Sequence, residues 1–142
     1  DDPKPDRGQA VGPARRPVRQ PLPHVLRGER VPRGRRSAWR GRRQLRGIAA
    51  TGGMVGIGFW PTACGGDDAA SIARSIAHAV SVVGADHVGL GSDFDGAVPT
   101  PFDVSGLGLL TAALVDAGLD EPTIAAVMGG SAVRLLREAL PG

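Results

Sequence analysis

The stretch "HVGLGSDFDG", residues 87–96, decides how this chain is read. Small and apolar residues run without alternation into Asp93 and Asp95, and Gly96 follows at once. An apolar, non-alternating run bounded by a turn signal reads as a strand buried on both faces, the kind found in parallel sheets. The strand period sets Asp93 and Asp95 on one side and turns Phe94 away. Glycines at 89, 91 and 96 leave room for close backbone approach. Two carboxylates at the tip of such a strand can bind a metal, take a proton from a metal-bound water, or hold a substrate ammonium. The plain alternative is a turn at Asp95-Gly96 with Asp93 as a cap, and local chemistry leaves both open.

Working outward, "MVGIGFW" (54–60) is another short apolar run that reads as a buried strand. Between the two runs, "AASIARSIAHAVSVV" (69–83) places Ile72, Ile76, Val80 and Val83 on one helical face, ended by Gly84. "PTACGGDD" (61–68) reads as a loop whose Asp67 and Asp68 suit a helix start. "LRGIAATGG" (45–53) reads as the end of a helix closed by glycines. Beyond the aspartates, "DGAVPTPFDVSG" (95–106) is a long loop, and "LGLLTAALVDAG" (107–118) is an amphipathic helix stopped by Gly118. "DEPTIAAVMGG" has Pro122 near a helix N-terminus, and "SAVRLLREAL" is a last helix with Ser131 as its N-cap.

From residue 45 the order is helix, strand, helix, strand, loop, then helices, an α/β pattern of parallel strands. Two strands cannot close a sheet. Residues 45–142 therefore read as a piece of an α/β architecture, which in a (β/α)8 barrel of the TIM type would be its last two βα units. Catalytic groups of such barrels sit at the C-terminal ends of strands, where Asp93 and Asp95 fall.

Charge divides the chain in the same way. Residues 1–50 carry 13 Arg and one Lys against four acids, a balance of +10; residues 51–142 carry three Arg against ten acids, −7. Seven prolines interrupt every candidate segment of residues 1–46, which leaves little apolar surface to offset the entropy of ordering. We expect residues 1–44 to be a low-complexity basic Arg/Pro/Gly segment, disordered or poorly packed coil through about Gln44. Such an arm could contact phosphates, which gives an alternative function as a non-catalytic nucleic-acid-binding protein. Trp39 is its one interleaved aromatic, and no helix-turn-helix or zinc knuckle is present, so no nucleic-acid partner is expected.

Cys64 is the one cysteine, which excludes an internal disulfide and a cysteine-built zinc site. No apolar run approaches the roughly 18–20 residues of a membrane span, and nothing resembles a signal peptide. We expect a soluble chain, cytoplasmic by default. "GGDDAAS" lacks the lysine of a phosphate loop and carries acids that would repel phosphate.

Three blocks carry a resemblance: "GGMVGIGFWP", "IAHAVSVVGADHVGLGSDFDG" and "IAAVMGGSAVRLL". In this order and spacing they resemble the C-terminal part of the membrane (renal) dipeptidase family, over roughly residues 45–140. The resemblance implies a barrel of the metal-dependent hydrolase type, dipeptide substrates, and hydrolysis by water activated on two zinc ions. It implies that Asp93 is the active-site acid and that Asp95 supports the substrate loop. The family usually has Asn where this chain has Ser131.

The family's metal ligands begin with an HxD pair, which is missing: His24 is followed by Val-Leu, His78 by Ala-Val and His87 by Val-Gly. His78 and His87 read as structural. His24 is a weak metal candidate, near the family's spacing for a last zinc histidine but in unlike surroundings, "LPHVLRG". The expected chain is thus an incomplete, inactive fragment of a zinc dipeptidase, with oligomeric state unknown. Arg, Gly, Pro and Ala dominate proteins read out of frame from GC-rich DNA, so we further expect much of residues 1–44 to be frame-shifted. Translation of the other frames of the coding DNA should then yield a serine-histidine block and an arginine-asparagine segment upstream of residue 45; finding neither refutes the frameshift.

Overall fold

The computed structural model of the chain describes residues 37–140. It opens with helix α1, Ser37–Ala50. The coil expected through Gln44 therefore gives way to helix from Ser37, and the rest of that segment lies outside the described residues. The reason is local: no proline falls between Pro32 and Pro61, and Arg, Gln, Leu and Ala are good helix formers. Leu45 packs against the core. The helix closes as expected, with Gly52 at φ 75° and Gly53 N–H donating to Ile48 O at 3.1 Å.

The strands β1, Val55–Ile57, and β2, Val88–Leu90, pair in parallel with Val55 opposite Val88 and Ile57 opposite Leu90. Both are shorter than the apolar runs suggested. After Ile57 the chain turns into a one-turn helix α2, Pro61–Cys64, where a loop was expected. Pro61 suits that first turn because its missing N–H would have no partner there. His87 falls in a 3-10 turn, Ala85–His87, rather than in the strand. The two backbones meet at glycines: a Cβ built on Gly91 would stand 2.8 Å from the carbonyl carbon of Gly56. Glycine at 91 makes this approach possible, and a Cβ on Gly56 would be crowded at 3.1 Å from Gly91 Cα.

Helix α3, Ala69–Val83, forms as its period predicts. Asp68 accepts from Ser71 N–H at 2.7 Å as the N-cap, and Gly84 closes the helix at φ 84°. Ile72 and Ile76 are fully buried, with Val80 and Val83 packed beside them. α4 spans Leu107–Asp116, and α5, Glu121–Ala125, leads through a kink at Gly129 into α6, Ser131–Ala139. Asp120 caps α5 from Thr123 N–H at 3.0 Å. Ser131 is not the cap that was expected. Its backbone is already helical, and its Oγ donates to Ala85 O at 2.8 Å, with the side chain buried. The helix is entered from α5 across the kink, so no free N-terminus needs a side-chain cap.

α3 packs between α1 and α4, and β2 lies between α3 and the α5–α6 kink. Val88 and Gly89 are buried, whereas β1 leaves Gly56 exposed, so only β2 has the two-sided cover expected of both strands. No helix among the described residues is long and apolar enough to cross a membrane. At the C-terminal ends of the strands the three phenylalanines of the chain meet. Phe59, fully buried, has ring centroids 5.5 Å from Phe94 and 5.6 Å from Phe102. Replacing Phe59 by alanine removes the shared member of both pairs. Phe59→Ala should lower unfolding free energy by about 3–5 kcal/mol in urea titration.

Candidate active site

Asp93 stands three residues beyond the end of β2, in left-handed backbone at φ 64°. A turn over residues 94–97 follows, with Gly96 at φ 95° and its N–H 3.5 Å from Asp93 O. The strand ends too early for its pleat to align the two aspartates, which corrects the geometry expected from the sequence. The turn achieves the pairing instead: Asp93 and Asp95 have their carboxyls within hydrogen-bonding reach. Phe94 does turn away from them, into the phenylalanine cluster. Aspartate tolerates the left-handed region better than most residues because its short side chain can bond locally.

Asp93 differs electrostatically from its neighbours. Its carboxyl is raised above its ordinary value, first by the hydrogen bond with Asp95, then by partial desolvation and the nearby negative charge. Asp68, Asp103 and Asp120 are lowered, each first by a side-chain hydrogen bond with Ser71, Ser105 or Thr123. Those three satisfy backbone N–H groups at helix or turn starts, the plain role weighed for Asp93. No such bond is formed by Asp93, which is left able to exchange a proton.

At the opposite, N-terminal ends of the strands the contacts are structural. His87 Nδ1 lies 2.7 Å from Gly53 O, joining the entries of β1 and β2. Ser131 Oγ bonds Ala85 O, and Arg134 Nη2 donates to Asp86 O at 2.9 Å, fastening α6 to the entry of β2. Nothing in the local sequence indicated these last two, because they join positions 46 and 48 residues apart.

The described residues do not fit a metal centre: no three His, Cys, Asp or Glu side chains among them come close enough to hold an ion. His24 lies outside the described residues. Cys64 is half-buried, its thiol directed at Trp60 O and Gly66 O. A cavity of about 420 Å³ opens between α1, β1 and α3, lined by Leu45, Gly56, Cys64 and His78 among others. Neither Asp93 nor Asp95 lines it. His78 Nε2 is buried without a hydrogen-bond partner among the described residues, a condition that costs about 1–3 kcal/mol. Its orphaned nitrogen could not be foreseen from an otherwise ordinary helix position.

The pairing of the carboxyls has a checkable consequence. A carboxyl raised by folding contributes stability below its ordinary titration range, and that contribution is lost as pH rises through the raised value. Asp95→Asn replaces the acceptor by an amide that can donate to the Asp93 carboxylate. Followed by carbon-13 carboxyl NMR, the Asp93 midpoint should move down in this variant; an unchanged midpoint would show that Asp95 is not the cause.

A profile of the membrane dipeptidase family (peptidase family M19) matches residues 43–140. The chain is 39% identical over 92 residues to dipeptidase aclJ of Aspergillus oryzae, covering 59% of this chain and 22% of that one. It is 36% identical over 103 residues to an uncharacterized protein in the pqqA 5′ region of Klebsiella pneumoniae, covering 66% of this chain and 38% of that one. Among solved structures, a Rhodobacter sphaeroides metallopeptidase liganded with a phosphinate mimic of the dipeptide L-Ala-D-Ala superposes with TM-score 0.62 at 35% identity, covering 70% of this chain and 31% of that one. The structure of a metallopeptidase named dipeptidase AC gives TM-score 0.60 at 36% identity, with 68% and 31% covered. The chain thus spans well under half the length of these relatives, with an α/β fold similar to theirs. As the profile takes in more than half of its residues, the chain belongs to the membrane dipeptidase family of metallopeptidases.

Proposed function

We propose that this chain contributes the last two βα units of a (β/α)8 dipeptidase barrel, with residues 1–44 as a separate basic segment, and that Asp93 is the active-site acid presented to a dipeptide. One observation carries the reading: Asp93 lies beyond the C-terminal end of β2, in left-handed backbone beside Asp95. Barrel chemistry takes place at those strand ends, and sparsely populated backbone held in place by its surroundings clusters at active sites. Ionised, Asp93 can accept a proton or pair with the ammonium group of a dipeptide; protonated, it can return the proton to a leaving amine. Asp95 holds the turn and, through its hydrogen bond, brings the proton affinity of Asp93 nearer to neutral pH.

Zinc is the metal we assign to the complete enzyme, as two ions. The described residues bring no donors together for it, so the 142-residue chain by itself should not hydrolyse dipeptides. No observation favours the nucleic-acid alternative, whose basic residues lie mostly outside the described ones.

A chimera tests the role of Asp93 directly. Residues 43–140 would replace the matching third of the Rhodobacter sphaeroides metallopeptidase, with L-Ala-D-Ala as substrate. We expect chelator-sensitive hydrolysis, and a fall in kcat of about 10²–10⁴ for Asp93→Asn in the same chimera. Full turnover in that variant would exclude Asp93 as the acid. Robust, chelator-sensitive turnover by the isolated 142-residue chain would overturn the reading of it as inactive by itself.

A further inference from the structure

The turn that carries Asp93 and Asp95 is poorly able to hold itself. Asp93 adopts left-handed backbone at φ 64°, which residues with a Cβ occupy only at some cost. Gly96 N–H stands 3.5 Å from Asp93 O, at the outer limit of a hydrogen bond. The two carboxyls repel one another once both are ionised. Asp93 therefore needs an anchor outside the turn. Phe94 is next to it in the chain, and its ring meets Phe59 at 5.5 Å and Phe102 at 6.5 Å.

The two partners of Phe94 differ in kind. Phe59 is fully buried and belongs to the core, so its loss is felt throughout the fold. Phe102 is half-buried and comes from the loop 95–106, which is built to present its ring. On one side, Thr100 Oγ1 donates to Phe102 O at 3.0 Å. On the other, Asp103 accepts from Ser105 N–H at 2.8 Å and starts a 3-10 turn, Val104–Gly106. Gly106 closes that turn over Phe102: a Cβ there would stand 2.6 Å from Phe102 Cβ, so the chain folds back only without one. The ring so held lies 5.6 Å from Phe59, tilted by 59°, and edge-on to Phe94. Aromatic pairs of this kind favour particular orientations, so the place of Phe102 constrains where Phe94 points.

We propose that Phe102 is a positioning residue for Asp93: its ring, held by the loop 95–106, orients Phe94 and so keeps the Asp93 backbone left-handed and its carboxyl beside Asp95. The inference rests on the reading of Asp93 as the active-site acid. It gives the long loop a task beyond joining β2 to α4. Phe102 acts through Phe94 and needs no contact with substrate.

The test uses the full 142-residue chain, with the Asp93 carboxyl followed by carbon-13 NMR. Asp95 is the one charged group that shifts Asp93 among the described residues, so the Asp93 midpoint reports whether the pair is intact. Phe102→Leu keeps an apolar side chain and the fold while removing the ring. We expect it to move the midpoint down, in the same direction as Asp95→Asn, and Phe102→Tyr, which keeps a ring, to leave it at the parent value. In a chain already carrying Asp95→Asn, Phe102→Leu should lower the midpoint no further, because the pair through which it acts is gone. Leu114→Ala, at a fully buried position of α4, controls for lost stability: it should lower the melting temperature and leave the Asp93 midpoint unmoved. In the chimera with the Rhodobacter sphaeroides metallopeptidase, Phe102→Leu should lower kcat for L-Ala-D-Ala by about 10–100-fold with KM nearly unchanged, and Phe102→Tyr should retain kcat. A midpoint unmoved by Phe102→Leu, or moved equally by Leu114→Ala, overturns the proposal. The two readings fail separately. Full turnover by the Asp93→Asn chimera, with a midpoint still governed by Phe102, sinks the role of Asp93 as the acid. Lost turnover in that chimera, with a midpoint indifferent to Phe102, sinks the positioning role alone.

Discussion

The packing of Phe59 against Phe94 and Phe102 is the interaction on which the rest of this structure depends. Phe59 follows β1, Phe94 follows Asp93, and Phe102 belongs to the loop that leads into α4. One buried ring therefore ties together the ends of both strands and the long connection after them. Edge-on and tilted aromatic pairs are directional as well as apolar, so the cluster sets orientation where two three-residue strands offer few ladder bonds. The position of Asp93 follows from this. With Phe94 drawn into the cluster, the preceding residue is turned outward through left-handed backbone and meets Asp95 across a tight turn.

The two ends of the strands divide their labour. At the N-terminal ends, His87, Ser131 and Arg134 each bond a distant backbone carbonyl and lock the elements together. At the C-terminal ends, aspartate pairs with aspartate, an arrangement that opposes stability once both are ionised. Long-range side-chain-to-backbone contacts thus gather at one end of the strands and an unfavourable carboxyl pair at the other.

Much of the fold was legible beforehand because its signals are local. The helix over 69–83 was set by its apolar period, its aspartate cap and Gly84, all within one short segment. The two strands and their parallel relation followed from apolar runs flanking that helix, although only β2 is buried. Where reading failed, a competing local force was misjudged or a distant one was invisible. Arginine-rich composition concealed a proline-free helix from Ser37. The strand period was carried past Leu90 to residues that a turn governs. Ser131 looked like a cap because its distant partner, Ala85 O, leaves no trace in neighbouring residues.

For the candidate site the same boundary holds. "HVGLGSDFDG" by itself determined that two carboxylates follow a buried strand, and that glycines around them permit close approach, because residue type and spacing carry that information. Only the tertiary structure decided how they meet. A left-handed residue, a turn and a phenylalanine cluster bring the carboxyls together. The raised proton affinity of Asp93 is a property of that meeting, since it depends first on the hydrogen bond with Asp95, then on lost water and the neighbouring charge, as they stand in the folded chain.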